Sequence, residues 1–403
     1  MESPPRPIGV TGTIAGMVVP RNIYTTDELQ AIFDQTTTFV ANEVKPHGDQ
    51  WEIDGAVPRQ VLLEMGKLGM FGLRVPVELG GLGLGPLASA TFAEALASST
   101  YGGFDATVLV HTDMASPHLI NAGTDEQLDR YLTGILSGEI ITAVGVTEPD
   151  AGSDVAGMRT RAERDGDGWR LNGAKMFITN GVHGNLVMVA ARTNPDDRYG
   201  ISMFLVEHGT EGFSVANKLD KTGWRSSDTA ELVLDDVWLP GDCLLGEEHR
   251  GFYEVMKNFQ NERLVIAAMV VGSAQAAIDI TLAYTQDRKA FGQTLFDLGA
   301  IRQRMGMNQA KLDAVRASMY HAAWLMEQGV DATKEISGLK AFGAETAIQI
   351  AYDCVQFHGG MGYMRESAVE RISRDMRINT IGGGATEVML EEVAKRSYAT
   401  RDR

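Results

Sequence analysis

The spacing of apolar residues changes twice along the chain and divides it into three zones. Residues 23–140 carry apolar side chains at helical spacing, and residues 251–403 return to longer helical stripes. Between them, residues 141–250 show short β-type runs separated by turn dipeptides. The order predicts a helical domain, a small all-β unit and a helical bundle, preceded by a tail at residues 1–22.

Individual stripes locate elements within these zones. In the first zone, Thr25 and Glu28 are spaced as a capping box before an apolar helical stripe. In the middle zone, Leu186–Ala190, Ile201–Val206 and Leu232–Leu234 are predicted strands of a barrel or sandwich. In the last zone, one long stripe without internal proline predicts a helix of a bundle. Its members are Ile301, Met305, Leu312, Val315, Met319 and Met326.

Composition and charge argue against several classes of protein. The chain has 403 residues, is 44% hydrophobic and carries a net charge of −17, which disfavours nucleic acid or an anionic membrane surface as partner. No run approaches the ~18 continuous apolar residues of a membrane helix. Cys243 and Cys354 are far apart in sequence, so a reducing compartment is expected. Residues 1–22 lack signal-peptide or transit-peptide patterning, and we expect a cytoplasmic protein.

Two segments supply what a planar cofactor requires. Residues 147–154, TEPDAGSD, form a turn with free backbone at Gly152 and hydroxyls at Thr147 and Ser153. Residues 177–181, FITNG, place an aromatic ring and a hydroxyl at the end of a β-type run. An aromatic wall, hydroxyl donors and a small-residue turn suit the ring and phosphates of a cofactor. The alternative is a hairpin with two ordinary turns.

These two segments resemble the flavin-binding signature of the acyl-CoA dehydrogenase family, and three further segments agree with that family in order. Residues 287–292, DRKAFG, resemble its R-x-x-F-G segment, and residues 356–363, QFHGGMGY, resemble its Q-x-x-G-G-x-G segment. Arg374-Asp375 followed by residues 381–384 resembles its last signature. The resemblance implies an α+β multidomain fold with an N-terminal helical domain, a small middle β-barrel domain and a C-terminal four-helix bundle.

The resemblance also implies that the chain binds FAD, partly across a subunit interface. Within one subunit, Phe177 would flank the isoalloxazine ring, and Thr147 and Thr179 would hydrogen-bond to it. The other residues implied at the cofactor are Val144, Val146, Gly152, Ser153, Ile178, Ala385 and Glu387. Arg288 would clamp a phosphate of a neighbouring subunit's FAD, because guanidinium is a bidentate donor; Phe291, Gln356, Gly359 and Gly360 are implied with it. The implied homo-oligomer is a tetramer.

The glutamate that removes the α-proton is absent from the position where many members of the family carry it. Those members have I-Y-E-G-T in the last signature, and the aligned residue here is Gly383. A subset resembling isovaleryl-CoA and long-chain acyl-CoA dehydrogenases has E-R-L on a C-terminal helix, and this chain has Glu262-Arg263-Leu264. Glu262 also follows Phe259 by three residues on an apolar stripe, where an acid without a role is rare. The alternative is that Glu262 only pairs with Arg263.

The reaction implied is α,β-dehydrogenation of an acyl-CoA to the trans-2-enoyl-CoA in fatty-acid β-oxidation, with an electron-transfer flavoprotein as acceptor. The Gly383 N–H would hold the thioester carbonyl, and the implied substrate contacts are Ser153, Phe259, Arg263 and Gly384. The family often has glutamine at the position of Gly299 and threonine at that of Ala385, so some contacts are lost or replaced. No metal-ligand set is evident, and His358 is expected to be packed or backbone-bonded.

Two other functions fit the same residues. An oxygen-using relative, either an acyl-CoA oxidase or a flavin monooxygenase, would share the fold and most of the motifs. A catalytically silent flavoprotein that serves as a binding subunit would share them as well. Glu262 on an apolar face favours an enzyme over this last alternative.

Overall fold

The computed structural model of this chain describes residues 23–398, together with the backbone of a short hairpin, Thr13–Ile14 (β1) and Met17–Val18 (β2). The predicted tail, residues 1–22, otherwise lies outside the described residues. The first zone is helical, as predicted. Its α-helices are Asp27–Phe39 (α1), Gly48–Asp54 (α2), Arg59–Lys67 (α3), Pro86–Leu96 (α4), Gly102–Leu109 (α5), Ser116–Ala122 (α6) and Asp125–Ser137 (α7). A π-helical segment, Val110–Ala115, joins α5 to α6.

Helix α1 is capped one residue later than the sequence pattern predicts. Thr26, not Thr25, is the N-cap, and its side-chain oxygen accepts a hydrogen bond from the Leu29 amide at 3.2 Å. The third helical position is therefore Leu29, whose apolar side chain cannot return the second bond of a capping box. Asp27 and Glu28 instead place negative charge in the first turn, where it interacts favourably with the positive end of the helix dipole.

The middle zone forms an open sheet, and the predicted β-barrel is wrong. Its strands are Thr142–Gly145 (β3), Arg161–Asp165 (β4), Gly168–Thr179 (β5), Leu186–Arg192 (β6), Ile201–Glu207 (β7), Phe213–Lys218 (β8), Thr229–Pro240 (β9) and Leu244–Leu245 (β10). The order is β10-β7-β6-β4-β5-β9-β8, with β3 beside β6. Over residues 23–398 no pairing joins β8 to β10, so the sheet does not close.

Both faces of this sheet are buried, although the sheet does not close into a barrel. The inner face, which includes Val187 and Val189, packs into an apolar cluster formed by the sheet itself. The helix-facing face, which includes Leu186 and Met188, packs against α6, α7 and the first helix of the last zone. Strands β6 and β7 are therefore buried on both sides, which accounts for their continuous apolar runs.

The last zone is a helical bundle built around one long helix. Its elements are Gly251–Asp287 (α8), Lys289–Ala290 (β11), Gln293–Thr294 (β12), Gly299–Glu327 (α9), Thr333–His358 (α10), Ala368–Met376 (α11) and Thr386–Tyr398 (α12). Helices α8, α9 and α10 pack pairwise, and α12 lies along α10 as the fourth helix. By length and composition α8 could cross a membrane, but 78% of its most apolar window is buried within the protein. It is the central core helix of the bundle.

The three zones meet at one buried carboxylate. Asp375 on α11 accepts a hydrogen bond from the Gly102 amide at 3.0 Å and another from the Trp224 amide at 2.6 Å. Gly102 begins α5 in the first zone, and Trp224 lies between β8 and β9. Burial raises the pKa of Asp375 to about 7, and the two amide hydrogen bonds act in the opposite direction by stabilising the carboxylate. The Arg374-Asp375 signature is therefore a junction between domains.

A buried ion pair anchors the loop after β3 to β5. Lys175 on β5 is fully buried, and its Nζ lies 2.8 Å from Glu148 Oε1. The same carboxylate accepts the amides of Arg159 at 2.6 Å and Thr160 at 2.9 Å. Burial lowers the pKa of Lys175 to about 8, against the attraction of Glu148. The turn that begins at Thr147 is thus held in place by buried charge.

We predict that Lys175→Met destabilises the fold by about 3–5 kcal/mol, because Glu148 then stays charged and buried without a cation. Adding Glu148→Gln removes that charge and should recover part of the loss. The measurement is the free energy of unfolding in urea at neutral pH. The matched control is Lys67→Met, which breaks the exposed pair with Glu64 and should change stability by at most about 1 kcal/mol. Equal losses in the two single variants would contradict this role for the buried pair.

Candidate active site

The first part of the predicted flavin site lies on the helix-facing face of the sheet. Successive side chains of a strand point to opposite faces, and Ala143 of β3 belongs to the inner cluster. Val144 and Val146 therefore point the other way, and they join the apolar cluster that contains Phe259 of α8. The strand that carries the predicted flavin segment is thus packed beside the helix that carries the predicted base.

Phe177 at the end of β5 has an unusual backbone and an exposed ring. Its φ is +62°, a conformation uncommon outside glycine, and its side chain is 67% exposed. A register shift between Lys175 and Ile178 in the pairing of β5 with β9 accommodates it. Ile178 is buried in the inner cluster and offers a ligand only its backbone, whereas the neighbouring Thr179 is only partly buried. A rigidly held, exposed aromatic ring can serve as one wall of a site for a planar ligand.

Polar groups around this ring are available to a ligand. The hydroxyls of Thr147 and Thr179 make no hydrogen bond within the described residues, although the Thr147 carbonyl accepts the Met176 amide at 2.9 Å. Gly152 and Ser153 are exposed in the turn. In the described sheet, β3 pairs with β6 alone, and the backbone of Thr142 also bonds to the side chains of His111 at 3.1 Å and Asn180 at 3.2 Å. Free hydroxyls and an aromatic wall fit the isoalloxazine of FAD.

Helix α8 holds Glu262 in a fixed rotation next to this face. Asn258 donates to the Asp113 carbonyl at 3.2 Å, and Asn261 donates to the Asp113 carboxylate at 3.1 Å. Asp113 lies in the π-helical segment Val110–Ala115, an irregularity that often occurs at functional sites. Both asparagines lie within one turn of Glu262. Polar contacts therefore fix the direction in which the carboxylate points.

The two positions that the family resemblance gives for the base, Glu262 and Gly383, lie side by side. A Cβ atom added to Gly383 would lie 3.4 Å from Glu262 Oε1. It would also lie 2.3 Å from Ile266 Cδ1, so the isoleucine fills space that a side chain at Gly383 would need. Gly383 and Gly384 have φ values of +65° and +103°, which glycine adopts readily. The carboxylate from α8 therefore lies where a side chain on the turn would otherwise begin.

The surroundings of Glu262 favour its neutral form. Burial raises the pKa of this carboxyl to about 7, and the positive charges of Arg263 and Lys340 act in the opposite direction. The Arg263 guanidinium lies 5.4 Å above the centre of the Phe259 ring. Its Nε has no hydrogen-bond partner within residues 23–398. The site therefore contains a carboxyl that titrates near neutrality beside an unpaired cationic donor.

The residues implied at a neighbour's cofactor lie together on another surface. The Arg288 amide donates to the Tyr284 carbonyl at 2.8 Å, and the Tyr284 hydroxyl donates to the His358 carbonyl at 3.3 Å. The Tyr284 and His358 rings stack with centroids 4.3 Å apart. His358 Nδ1 lies 2.8 Å from the Cys354 carbonyl, so this histidine is packed and backbone-bonded, as expected. The predicted residues of this surface are all exposed; they are Arg288, Phe291, Gln356, Gly359 and Gly360.

Two of the residues predicted at the cofactor lie at the start of α12. Ala385 is partly buried in the turn before α12, and Glu387 is exposed in its first turn.

The sequence analysis missed two buried lysines. Lys340 donates to the glycine turn, and Lys175 holds the loop after β3. Lys340 follows Ile336 by four residues on the buried face of α10. A lysine on an apolar stripe was a signal that could have found it.

Comparison with known protein families assigns all three zones. The acyl-CoA dehydrogenase N-terminal domain matches residues 26–139. The acyl-CoA dehydrogenase middle domain matches residues 143–237, and the acyl-CoA dehydrogenase C-terminal domain matches residues 249–398. The three matches occur in the order in which the structure places the helical, sheet and bundle domains.

Relatives are similar over most of the chain. The long-chain specific acyl-CoA dehydrogenase of Mus musculus mitochondria is 38% identical over 363 residues, 89% of this chain and 84% of that protein. The mitochondrial isovaleryl-CoA dehydrogenase of Solanum tuberosum is 35% identical over 366 residues, 90% and 89% of the two chains.

Solved structures agree with the fold. A probable acyl-CoA dehydrogenase from Mycobacterium abscessus has a TM-score of 0.90 and 39% identity, covering 93% of this chain and 99% of that one. A glutaryl-CoA dehydrogenase from Mycobacterium smegmatis, solved in complex with FADH2, has a TM-score of 0.88 and 29% identity, covering 94% and 96%. The chain belongs to the acyl-CoA dehydrogenase family of FAD-dependent oxidoreductases that act on CH–CH bonds.

Proposed function

We propose that this chain dehydrogenates an acyl-CoA thioester between its α and β carbons, with Glu262 as the base that accepts the α-proton. The observation that carries the proposal is the 3.4 Å between Glu262 Oε1 and the position of a Cβ atom at Gly383. By the resemblance, Gly383 occupies the place of the catalytic glutamate in many members of the family. Helix α8 supplies a carboxylate to the same small region from the opposite side.

The pKa of Glu262 suits a general base. A base works best when its pKa is near the operating pH, because it is then both ionised and strongly basic. Burial raises the pKa of Glu262 to about 7, well above that of an exposed glutamate. Since no hydrogen bond within the described chain holds its carboxylate, Glu262 is free to accept a substrate proton.

The remaining polar groups are assigned to substrate and cofactor. The Gly383 amide makes no hydrogen bond within residues 23–398, and we assign it to the thioester carbonyl, where it stabilises the enolate. Phe177, Thr147 and Thr179 are proposed to hold FAD, which accepts a hydride from the β-carbon when bound. The further proposed substrate contacts are Ser153, Phe259, Arg263 and Gly384.

We propose that the assembled enzyme is a homotetramer that passes its electrons to an electron-transfer flavoprotein. Arg288 and the segment 356–360 lie on an exposed surface, and Phe291 in the same surface is 92% exposed. Apolar side chains exposed to this degree mark contact surfaces when they are grouped. The names of two relatives, a long-chain specific acyl-CoA dehydrogenase and an isovaleryl-CoA dehydrogenase, support long-chain or branched acyl thioesters as the proposed substrate class.

The experiment that tests this function is anaerobic addition of palmitoyl-CoA and isovaleryl-CoA to the flavin-loaded protein. We expect loss of the flavin absorbance and formation of a trans-2-enoyl-CoA detected by mass spectrometry. Rapid return of the colour in air would instead indicate an oxidase. A protein that keeps its colour with both thioesters, and with acyl-CoAs of intermediate length, would be the silent flavin-binding subunit.

We predict that Glu262→Gln keeps FAD and substrate binding but lowers the rate of flavin reduction by at least the ~10²–10⁴-fold that general base catalysis supplies. Glutamine has the same shape and cannot accept the proton. The measurement is stopped-flow reduction under anaerobic conditions, with Glu345→Gln on the exposed side of α10 as the control. Near-normal reduction by Glu262→Gln would rule out the assignment of the base.

We predict that the base can be moved to the turn. Glu262→Gly combined with Gly383→Glu should regain part of the activity lost in Glu262→Gly alone. The regain should be partial, because residue 383 has a φ of +65° and a misplacement of ~1 Å can lower a rate ~10²-fold. A third change, Ile266→Val, removes the Cδ1 atom that lies 2.3 Å from the new Cβ, and should raise the rate further.

The control for this series is Ile266→Val in the Glu262→Gly background, which should remain inactive. Reduction rates are measured with straight and branched acyl-CoAs, and the added side chain should narrow the acyl range. If the triple variant binds FAD and substrate normally yet reduces no faster than Glu262→Gly, then positions 262 and 383 do not face the same substrate carbon.

We predict that Phe291→Asp dissociates the oligomer and releases FAD. Aspartate tolerates the positive φ of 53° at this position, so the hairpin between β11 and β12 should still fold. The measurement is size-exclusion chromatography with light scattering, read at the flavin absorbance. The control is Ile53→Asp on α2, an apolar side chain that is 76% exposed on another surface. An FAD-loaded monomer at low concentration would contradict the assignment of this surface.

A further inference from the structure

Lys340 is a buried amine beside the turn that carries Gly383. It lies on α10, is 1% exposed, and donates its Nζ to the Gly384 carbonyl. Lysine is rarely buried without a partner of opposite charge. Within the described residues no carboxylate lies at ion-pair distance from this amine. Its burial, which lowers the pKa of Lys340 to about 8, is therefore not compensated by a salt bridge.

The glycine turn has few other restraints. Gly382 donates its amide to the Ile378 carbonyl at 2.8 Å, and Ala385 accepts the Met389 amide at 3.0 Å. Between these two bonds lie Gly383 and Gly384, both in conformations that only glycine adopts freely. In residues 381–385 of the described chain, the bond from Lys340 is the single hydrogen bond made by a side chain to the backbone. The conformation of the turn therefore depends on this amine.

Among the described residues, Lys340 is also one of two cations that act on Glu262. Its positive charge lowers the pKa of the carboxyl, and the carboxylate in turn raises the pKa of the lysine. The other cation is Arg263, which follows Glu262 on α8. From α12, Glu392 and Arg396 act on Arg263. Lys340 is thus the cation that faces Glu262 from a different helix.

The acids on the other elements packed against α8 already have partners. Asp113 of the π-helical segment accepts from Asn261, and Glu94 of α4 pairs with Arg316 of α9 at 2.7 Å. On α11, Asp375 is held by two backbone amides. None of these acids contributes to the titration of Glu262. The charge balance at the proposed base is therefore set by Arg263 and Lys340.

We propose that Lys340 is a positioning residue that fixes the Gly383–Gly384 turn against Glu262 and, by its charge, keeps that glutamate ionised as a base. The proposal rests on the proposed function of Glu262. Its two parts are separable, because the hydrogen bond fixes geometry at every pH, whereas the charge acts while Lys340 is protonated. A lysine with a purely structural role would support the turn and leave the titration of Glu262 unchanged.

The test compares three variants of the flavin-loaded enzyme. Lys340→Met keeps an unbranched side chain, one heavy atom shorter, but removes both the charge and the donor. Lys340→Arg keeps the charge and is the conservative variant expected to restore the titration. Lys334→Met, an exposed lysine on the same helix, is the matched control. The probe is palmitoyl-CoA or isovaleryl-CoA, whichever reduces the wild-type flavin faster, at concentrations well below saturation.

The readout is the anaerobic reduction rate between about pH 6 and pH 9. In the wild-type enzyme the rate should rise with pH as Glu262 loses its proton near pH 7. In Lys340→Met the midpoint should move up by about 0.5–1 pH unit, so that the rate on the acidic side falls about 3–10-fold. The plateau at high pH should also fall, since the turn is less well held. Lys340→Arg and Lys334→Met should keep the wild-type midpoint.

A wild-type midpoint in Lys340→Met would overturn the proposal, and so would a shift in Lys340→Arg as large as that in Lys340→Met. If Lys340→Met does not fold, Lys340→Gln, which keeps a donor without the charge, must show the same upward shift. Glu262→Gln measured in parallel separates the two levels of inference. Reduction by Glu262→Gln would refute the base itself, whereas an inactive Glu262→Gln with an unshifted Lys340→Met would refute only the role of Lys340.

Discussion

The site depends on a fixed orientation of three domains, and the carboxylate of Asp375 is a contact at which all three meet. The proposed cofactor wall comes from the sheet, the proposed base from α8, and the glycine turn from the segment after α11. Asp375 binds one backbone amide from each of the other two domains. Arg371, one turn earlier on α11, adds a bond to the Thr100 carbonyl at 2.9 Å. Both partners of Asp375 are main-chain groups, whereas Arg371 also donates to the side chains of Asp49 at 2.8 Å and Thr100 at 3.1 Å.

Buried charge has two opposite uses in this protein. Glu148 lies 2.8 Å from Lys175 and accepts two amides, and these contacts hold its pKa below the usual range despite burial. Within residues 23–398 the carboxylate of Glu262 accepts no hydrogen bond, and burial raises its pKa to about 7 against the charges of Arg263 and Lys340. The same residue type is therefore a permanent anion in one place and a titrating group in the other. When two side chains of the same type have different pKa values, the difference distinguishes a carboxylate that holds the structure from one that is suited to a reaction.

Sequence-based prediction was accurate for features that local patterns determine, and it failed for features that depend on contacts between residues distant in sequence. Strands β6 and β7 and the helix that carries Glu262 are local patterns, and periodicity located them. The barrel prediction failed because closure depends on whether β8 meets β10 and on helices that cover one face, and strand patterns contain neither. Lys340 was missed because its partner is a backbone carbonyl 44 residues away, which has no signature of its own. The proximity of Gly383 to Glu262 was expected only through the family resemblance.

The contact between Ile266 and the Gly383 position has a consequence for how such enzymes diverge. Gaining a glutamate at the turn while Glu262 is present would put two carboxylates together, of which one must take up a proton, and would crowd the isoleucine. Losing Glu262 first removes the proposed base before another is in place. Shortening Ile266 in advance is mild, since such a change typically destabilises by only about 0.5–1.5 kcal/mol. The side chain at position 266 therefore determines the order of substitutions by which a lineage could pass from one proposed catalytic arrangement to the other.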